Sequence, residues 1–234
     1  MSPVSTSQSI GSYVVERPSR SKVFERFGLD YCCGGHLSLE EACAKGGLEP
    51  AIVLRALADF DAANPAEEPA PWTLDLAALA DHIEATHHAY LHRELARMRE
   101  LVAKVAKAHG DTDPRLIRLN QVFQRFQEEM ELHMAKEEQI LFPLVRKLAK
   151  GESLEAFHCG GVRGPVSVMR HEHDEHAVNL GLIKELTENF TVPEYACNTY
   201  RATLDALVEL ERDLHRHIHK ENNILFPGAE ALEG

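Results

Sequence analysis

The sequence predicts an all-α protein, with a small N-terminal helical domain followed by an antiparallel four-helix bundle. Four long segments in the second part of the chain have helical spacing of apolar residues, end at glycine or proline, and lack the alternation of a strand. Two of these segments end in the same motif, which indicates a duplicated helical hairpin. Long helices with short connections are what an antiparallel bundle requires.

A proline-rich segment divides the chain. Residues 63–72 contain three prolines among alanine and glutamate without an apolar period, which is typical of an extended linker. We therefore expect a small helical domain at residues 1–62 and the bundle at residues 73–234.

The small domain should consist of short helices around a cysteine turn. Residues 21–27 should close at Gly28, and Ser38 with Glu41 forms a predicted capping box for the next helix. Pro50 suits the first turn of a further helix. The predicted apolar face of that helix comprises Ile52, Leu54, Leu57 and Phe60.

The bundle helices have recognisable ends. The first should run from about residue 73 to a stop at Gly110, and the second from Asp113 to Pro143. The third should begin near Pro165, and a second capping-box pattern places the start of the fourth at Thr191.

Composition narrows the classes of partner. The chain has 234 residues, with 25 Lys and Arg against 37 Asp and Glu, for a formal net charge of −12. A nucleic-acid partner is not expected, because binding to phosphates requires basic side chains and no Lys/Arg-rich tract is present. No apolar run approaches the roughly 18 to 20 residues of a membrane span, and residues 1–20 lack the order of a signal peptide. We expect a cytoplasmic protein without a membrane partner.

The repeated motif supplies two candidate metal-binding pairs. Two segments 84 positions apart read H-x-x-K-E-x-x-I-L-F-P. His133 with Glu137, and His217 with Glu221, are each four residues apart, so both side chains of a pair lie on one helical face. A single such pair is most often an ordinary surface pair. Two copies facing one bundle axis would bring carboxylates into the core, where a metal ion would neutralise them.

The two remaining long helices should each supply one histidine by the same symmetry. The sequence leaves the choice open, because spacing does not decide between neighbouring histidines. The candidates are His82, His87, His88 and His92 on the first helix and His171, His173 and His176 on the third. One histidine from each helix gives a set of four His and two Glu.

This donor set predicts a pair of iron ions. Six nitrogen and oxygen donors exceed the four of a structural zinc site, and no cysteine lies in the repeat. Such donors suit iron or manganese, and the excess of histidine over carboxylate differs from the ferritin pattern. We expect two non-haem Fe ions bridged by carboxylates and by an oxo or hydroxo group, with open positions for a small molecule.

Four motifs, in this order, resemble the RIC (repair of iron centres) di-iron family of the YtfE/ScdA type. They are D-Y-C-C-G-G, H-M-x-K-E-E-Q-I-L-F-P, S-V-M-x-x-E-H-D and H-I-x-x-E-N-N-x-L-F-P. The long part of the chain resembles a hemerythrin-like domain, and the cysteine turn is similar to the short N-terminal domain of that family. Carried over by motif, the resemblance implies these metal ligands: His88, His133, Glu137, His173, His217 and Glu221.

Two further carboxylates are candidates for a supporting role. Glu129 lies one turn before His133, and Glu172 is next to His173. Either carboxylate is placed to orient an imidazole or to hold a departing iron. The alternative for each is a solvated glutamate on a helix.

The adjacent cysteines are candidates for thiol chemistry. Cys32 and Cys33 lie in a glycine-flanked turn just before the helix that Ser38 caps, a place that favours a thiolate able to take up nitric oxide or hold iron in transit. The alternative is a pair of small packed thiols. The other cysteines match no motif and are expected to be buried or idle: Cys43, Cys159 and Cys197.

The resemblance implies a function in the repair of iron–sulfur clusters damaged by nitric oxide or peroxide, by iron donation in the cytosol. It also implies a homodimer whose partners are damaged iron–sulfur proteins. The main alternative is a di-iron protein that binds, scavenges or reduces nitric oxide. An oxygen carrier or sensor is less favoured, because the predicted site has one histidine fewer than that of hemerythrin and storage does not need a thiol module.

Overall fold

The computed structural model describes residues 5–64, 75–152 and 160–233. These residues form helices and turns, with one isolated bridge between Ser9 and Ser38 and no strand, so the predicted all-α class is confirmed. The α-helices are α1 (Ile10–Glu16), α2 (Ser21–Phe27), α3 (Leu39–Gly46), α4 (Pro50–Ala63), α5 (Leu76–Ile83), α6 (Ala89–His109), α7 (Arg115–Lys136), α8 (Phe142–Ala149), α9 (Arg163–Leu186), α10 (Asn198–Lys220) and α11 (Phe226–Glu233). None of them combines the length and apolarity needed to cross a membrane. Most of the predicted linker and Cys159 lie outside the described residues.

The chain forms two compact units. The first contains residues 1–79 together with residues 215–234, and the second contains residues 80–214. The end of the chain therefore packs with the N-terminal segment, which the sequence placed in a separate domain.

Local capping defines the helices of the first unit. Oγ of Ser38 accepts the N–H of Glu41, and the carboxylate of Glu41 accepts the N–H of Ser38, which confirms the predicted capping box. Gly28 and Gly47 end α2 and α3 with φ values of 67° and 65°. Glycine adopts this left-handed conformation without a steric penalty.

Helix α4 faces the core of the first unit with most of the predicted stripe, since Leu57 is fully buried and Leu54 and Phe60 pack against the core. Ile52 is 58% exposed, whereas Val53 and Leu57, one turn apart, are fully buried. Asp61 on the same helix accepts hydrogen bonds from Arg17 at 2.9 Å and Arg20 at 2.7 Å. These ion pairs, largely shielded from solvent, connect α4 to the segment before α2.

The second unit is a bundle around one apolar core. Helix α6 packs on α7, and α7 packs on α9, while residues 198–214 of α10 complete the core. The core is mainly aliphatic with two phenylalanines at its centre; its members include Leu95, Met98, Val102, Phe123, Phe126, Leu180, Ile183, Leu207 and Leu210.

The predicted start of the last long helix at Thr191 is wrong, because α10 begins at Asn198. Glu188, Asn189 and Phe190 follow α9 with φ values of 51°, 56° and 59°. Three left-handed residues in succession turn the chain away from a helical path. The hydroxyl of Thr191 donates to the carbonyl of Glu188, so it stabilises this turn and not the start of a helix.

Candidate metal centre

Three π-helical turns interrupt the long helices at predicted ligands. They span Glu84–His88, Glu137–Leu141 and Glu221–Leu225. In the last two, the N–H of the following phenylalanine bonds to the carbonyl of the glutamate five residues earlier, and the next residue is a proline, which has no N–H. The shared E-x-x-I-L-F-P sequence thus produces the same irregular turn in both copies. Such turns are rare and occur frequently at functional sites.

Four predicted ligands meet inside the second unit. His88, His133, Glu137 and His173 are each no more than 1% exposed. Oε2 of Glu137 lies 3.3 Å from Nε2 of His88 and 3.3 Å from Nε2 of His133. Nε2 of His173 lies 3.2 Å from Nε2 of His133. Neighbouring donors of one metal ion with bonds of roughly 2.1 Å are about 3 Å apart, which agrees with these separations.

Carboxylates accept hydrogen bonds from the Nδ1 atoms of two of these histidines. Nδ1 of His88 donates to Oε1 of Glu138 at 2.8 Å, and Nδ1 of His133 donates to Oε2 of Glu172 at 2.9 Å. The hydrogen bond from His133 lowers the pKa of Glu172 to about 2, with help from Lys136 and against the effect of burial. A neutral imidazole that donates from Nδ1 keeps a lone pair on Nε2, as metal-binding histidines do.

Glu137 shows that this cluster fits a cation. The residue is fully buried, and neither carboxylate oxygen has a hydrogen-bond donor of suitable geometry among the described residues. A buried carboxylate without donors is costly, and the adjacent Nε2 lone pairs add repulsion. A bound cation would remove both penalties. Nitrogen and oxygen donors of this kind suit iron or manganese.

The second copy of the repeat places the corresponding pair in the first unit. His217 is 1% exposed and Glu221 is fully buried. Nε2 of His217 lies 2.8 Å from Oε1 of Glu221. Both copies therefore bury an imidazole and a carboxylate one helical turn apart.

The end of the second copy also anchors the cysteine turn. Nδ2 of Asn223 donates to the carbonyls of Tyr31 and Cys32, both at 3.2 Å. The backbone of Gly11 and Gly35 approaches so closely that a Cβ there would lie 2.6 and 2.4 Å, respectively, from Oδ1 of Asn223. Glycine is required at both positions for this contact. The turn is thereby held against the segment that carries the second ligand pair.

Asp30 shapes the cysteine turn. Its Oδ1 accepts the backbone N–H of Cys32 and of Cys33, each at 3.0 Å, and also the thiol of Cys32 at 3.0 Å. A hydrogen bond with Cys33, burial and the charge of Asp30 raise the pKa of Cys32 well above its usual value. The thiolate expected from the sequence is therefore disfavoured at Cys32, since a carboxylate faces its sulfur. Ligand atoms of Asp30, Cys32 and Cys33 all lie within 4.8 Å of one another.

The structure gives different surroundings to the neighbouring histidines among which spacing did not choose a candidate ligand. His88 meets Glu137, whereas Nδ1 of the buried His87 lies 2.8 Å from Oδ1 of Asp213. On α9, Nε2 of His173 lies 3.2 Å from Nε2 of His133, and the side chain of His171 is 75% exposed. His176 is also buried, with its ring centroid 4.9 Å from that of His133.

Glu129 and Glu172 have different surroundings. Glu172 accepts the hydrogen bond from His133 described above. Glu129 accepts hydrogen bonds from Arg125 at 2.6 Å and Asn179 at 2.9 Å, and no contact with His133 is observed among the described residues.

Two residues have contacts that the sequence analysis did not predict. Glu138 binds both His88 and His92, the latter at 3.0 Å from its Nε2; the only sequence signal is that the two copies of the repeat differ at this position. Cys197 is exposed, and its pKa is lowered to about 7 by a hydrogen bond with His109 and by backbone N–H groups at the start of α10. Cys197 is thus not buried, and its lowered pKa favours the thiolate.

Comparison with known proteins agrees with these features. Residues 79–229 match the family model for the hemerythrin HHE cation binding domain, and residues 6–61 match ScdA_N, a domain of unknown function (DUF542). The iron-sulfur cluster repair proteins YtfE of Escherichia coli O157:H7 and Escherichia coli O81 (strain ED1a) are each 36% identical to the chain over 227 residues, which is 97% of this chain and 98% of the relative. The YtfE protein of Escherichia fergusonii is 35% identical over the same shares. The chain therefore belongs to the hemerythrin HHE family and, within it, to the YtfE-type proteins that carry an N-terminal ScdA_N domain.

Proposed function

We propose that the protein binds two iron ions and repairs iron–sulfur clusters damaged by nitrosative or oxidative stress, by donating iron. The observation that carries this proposal is the buried carboxylate of Glu137, which lacks hydrogen-bond donors and adjoins imidazole nitrogens. The names of the relatives support cluster repair as the role of such a site.

The proposed iron ligands are the six residues carried over by motif. His88, His133, Glu137 and His173 form one part of the set, and His217 with Glu221 forms the other. Two facts support combining them: both pairs of the repeat share the same buried turn, and all six residues fall within the matched cation-binding domain.

The chain's own residues prepare such a site for hard cations. Glu138 and Glu172 accept hydrogen bonds from Nδ1 of two imidazoles and fix their orientation, so that each ring in its neutral form presents the Nε2 lone pair. The ring of His88 stacks on Phe142 with centroids 5.4 Å apart, which limits its rotation and excludes water. Bound iron would supply a redox-active Lewis acid at this point, and it is also the cargo that repair requires.

The cysteine turn is proposed to hold iron or nitric oxide in transit. Cys33 is the better candidate for first contact, because it is partly exposed whereas Cys32 is buried with a raised pKa. Asp30 adds a carboxylate oxygen next to both sulfurs. The double change Cys32→Ser, Cys33→Ser should leave iron content intact and slow repair.

The decisive experiment is anaerobic incubation of the iron-loaded protein with a nitrosylated iron–sulfur acceptor. Cluster recovery and nitric oxide consumption are followed together by absorbance and a gas electrode. Recovery with matching iron loss from the protein supports repair. The His133→Ala variant should fail, and His171→Ala, which changes an exposed histidine on α9, should match the unaltered protein. No recovery by the iron-loaded protein would contradict the proposal.

A second candidate function is the binding or reduction of nitric oxide. The size of the donor set favours this function. Six protein donors do not fill all the positions of two six-coordinate ions, so positions remain for a small ligand. In the same experiment, gas consumption without cluster recovery would support this alternative.

The homodimer and the cytoplasmic location are also proposals. Light scattering of the iron-loaded protein would measure its mass in solution. Fractionation of cells that produce the protein would locate it.

A further inference from the structure

A basic cleft lies within the first unit. It is lined by residues between 14 and 22, by Tyr31, and by residues between 216 and 220. It has a volume of about 350 Å³, at the lower end of the range for small-molecule sites. Its polar lining consists of three cationic side chains, three hydroxyl side chains and one imidazole: Lys22, Arg216, Lys220, Ser19, Ser21, Tyr31 and His219.

The charge of this cleft contrasts with that of the chain. The protein has a net charge of −12, yet three cationic side chains and no carboxylate are found among the residues that line the cleft. Glu25, which accepts the hydroxyl of Tyr31 at 3.0 Å, is not one of the lining residues. Cations gathered in a concave surface with low-dielectric walls concentrate their field and attract small anions.

Hydroxyl side chains accompany the cations. Ser19 and Ser21 belong to the lining of the cleft. A serine hydroxyl can donate a hydrogen bond to an anionic oxygen.

We infer that this cleft binds a small oxyanion with at least two negative charges, such as a dicarboxylate or a tetrahedral dianion. Lys22, Arg216 and Lys220 supply charge-assisted hydrogen bonds, and the serine hydroxyls supply neutral ones. The planar guanidinium of Arg216 suits a carboxylate or a tetrahedral oxyanion equally. The inference does not rest on the proposed iron site or on cluster repair.

The test is calorimetric titration of the full-length, iron-loaded protein with succinate and with sulfate at low ionic strength. Acetate is the monoanion control, and iron content is measured before and after each titration. We expect one dianion per chain, with affinity falling as salt is added, and the stronger of the two titrations identifies the ligand geometry. Acetate should bind at least several-fold more weakly.

Variants locate the binding. Lys22→Gln and Arg216→Gln should each weaken dianion binding by several-fold, and Ser19→Ala should weaken it by a smaller factor. Lys45→Gln is the matched control, because it removes an exposed charge from the same unit outside the cleft. The inference is overturned if neither dianion binds, or if Lys45→Gln weakens binding as much as Lys22→Gln. Cluster repair by the same variants is measured separately, so its loss does not bear on anion binding.

Discussion

The two copies of the H-x-x-K-E-x-x-I-L-F-P repeat share a buried His–Glu pair and a π-helical turn but differ in the residue that follows each glutamate. In the first copy this residue is Glu138, whose carboxylate binds Nδ1 of His88 and Nε2 of His92. In the second copy it is Asn222, which carries no charge. The first copy therefore has a carboxylate that orients an imidazole of a neighbouring helix, and the second copy does not have one at this position.

The second copy uses its other positions to hold the N-terminal segment. Asn223, where the first copy has the exposed Gln139, donates to two carbonyls of the cysteine turn. His219, where the first copy has Ala135, is buried with its ring 5.4 Å from that of Tyr31. The two copies thus share the proposed metal ligands and differ at positions that contact other parts of the chain.

The largest expected effect is on the residues that the copies share. His133→Ala and His217→Ala should each lose most of the iron, with affinity falling by more than roughly 100-fold, because each removes one of six proposed donors. Iron per chain and the far-ultraviolet circular dichroism measure this. His171→Ala is the control. Full iron content in His217→Ala alone would show that the second copy is not a ligand pair.

A smaller effect on iron affinity is expected at Glu138, the residue that follows the glutamate of the first copy. Glu138→Ala should lower iron affinity by about 10- to 100-fold without unfolding the bundle, because His88 loses the acceptor that orients it. Competition with a chelator measures the affinity. Gln139→Ala, which changes the exposed neighbour, should have no effect. Equal behaviour of the two variants would mean that Glu138 does not support the site.

The anchor of the second copy should contribute to stability and not to iron binding. Gly35→Ala should destabilise the first unit by about 1 to 2 kcal/mol, because the new Cβ displaces Asn223 from its hydrogen bonds. Denaturant unfolding measures this change. Gly181→Ala, in α9 with no atom within 4 Å of the new Cβ, should be neutral or slightly stabilising. The change should be less than additive with Asn223→Ala, and full additivity would contradict the contact.

The smallest expected effect concerns thiol reactivity. Cys197, whose pKa is lowered to about 7 by His109, should be alkylated faster as the pH rises through 7 and then reach a plateau, since the thiolate is the reactive form. His109→Gln should shift this profile to higher pH.

Cys32, whose pKa is raised, should be labelled slowly in the same pH range. Asn223→Ala should accelerate labelling of Cys32, as measured by mass spectrometry, and unchanged labelling would show that Asn223 does not hold the turn.

The sequence by itself determined the features that depend on residues close together in the chain. The capping box at Ser38, the left-handed glycine after α2 and the His–Glu spacing of both copies each need only one helical turn of context. The family resemblance likewise rests on short motifs. The extended linker and the domain boundaries at residues 62 and 73 stay predictions.

Tertiary structure decided which neighbouring residue faces which partner. Adjacent residues on a helix are about 100° apart, so periodicity alone did not separate His87 from His88, and it assigned Ile52 in place of Val53 to the buried face of α4. The roles of Glu138 and Asn223 depend on side chains from distant parts of the chain, His88 and the cysteine turn. The local pattern at Thr191 resembled a helix start, but the left-handed residues before it, set by how the chain leaves α9, directed its hydroxyl elsewhere. Contacts between segments far apart in sequence therefore fixed the surroundings of the site, because helical periodicity orients a face only to within a residue and does not specify what packs against it.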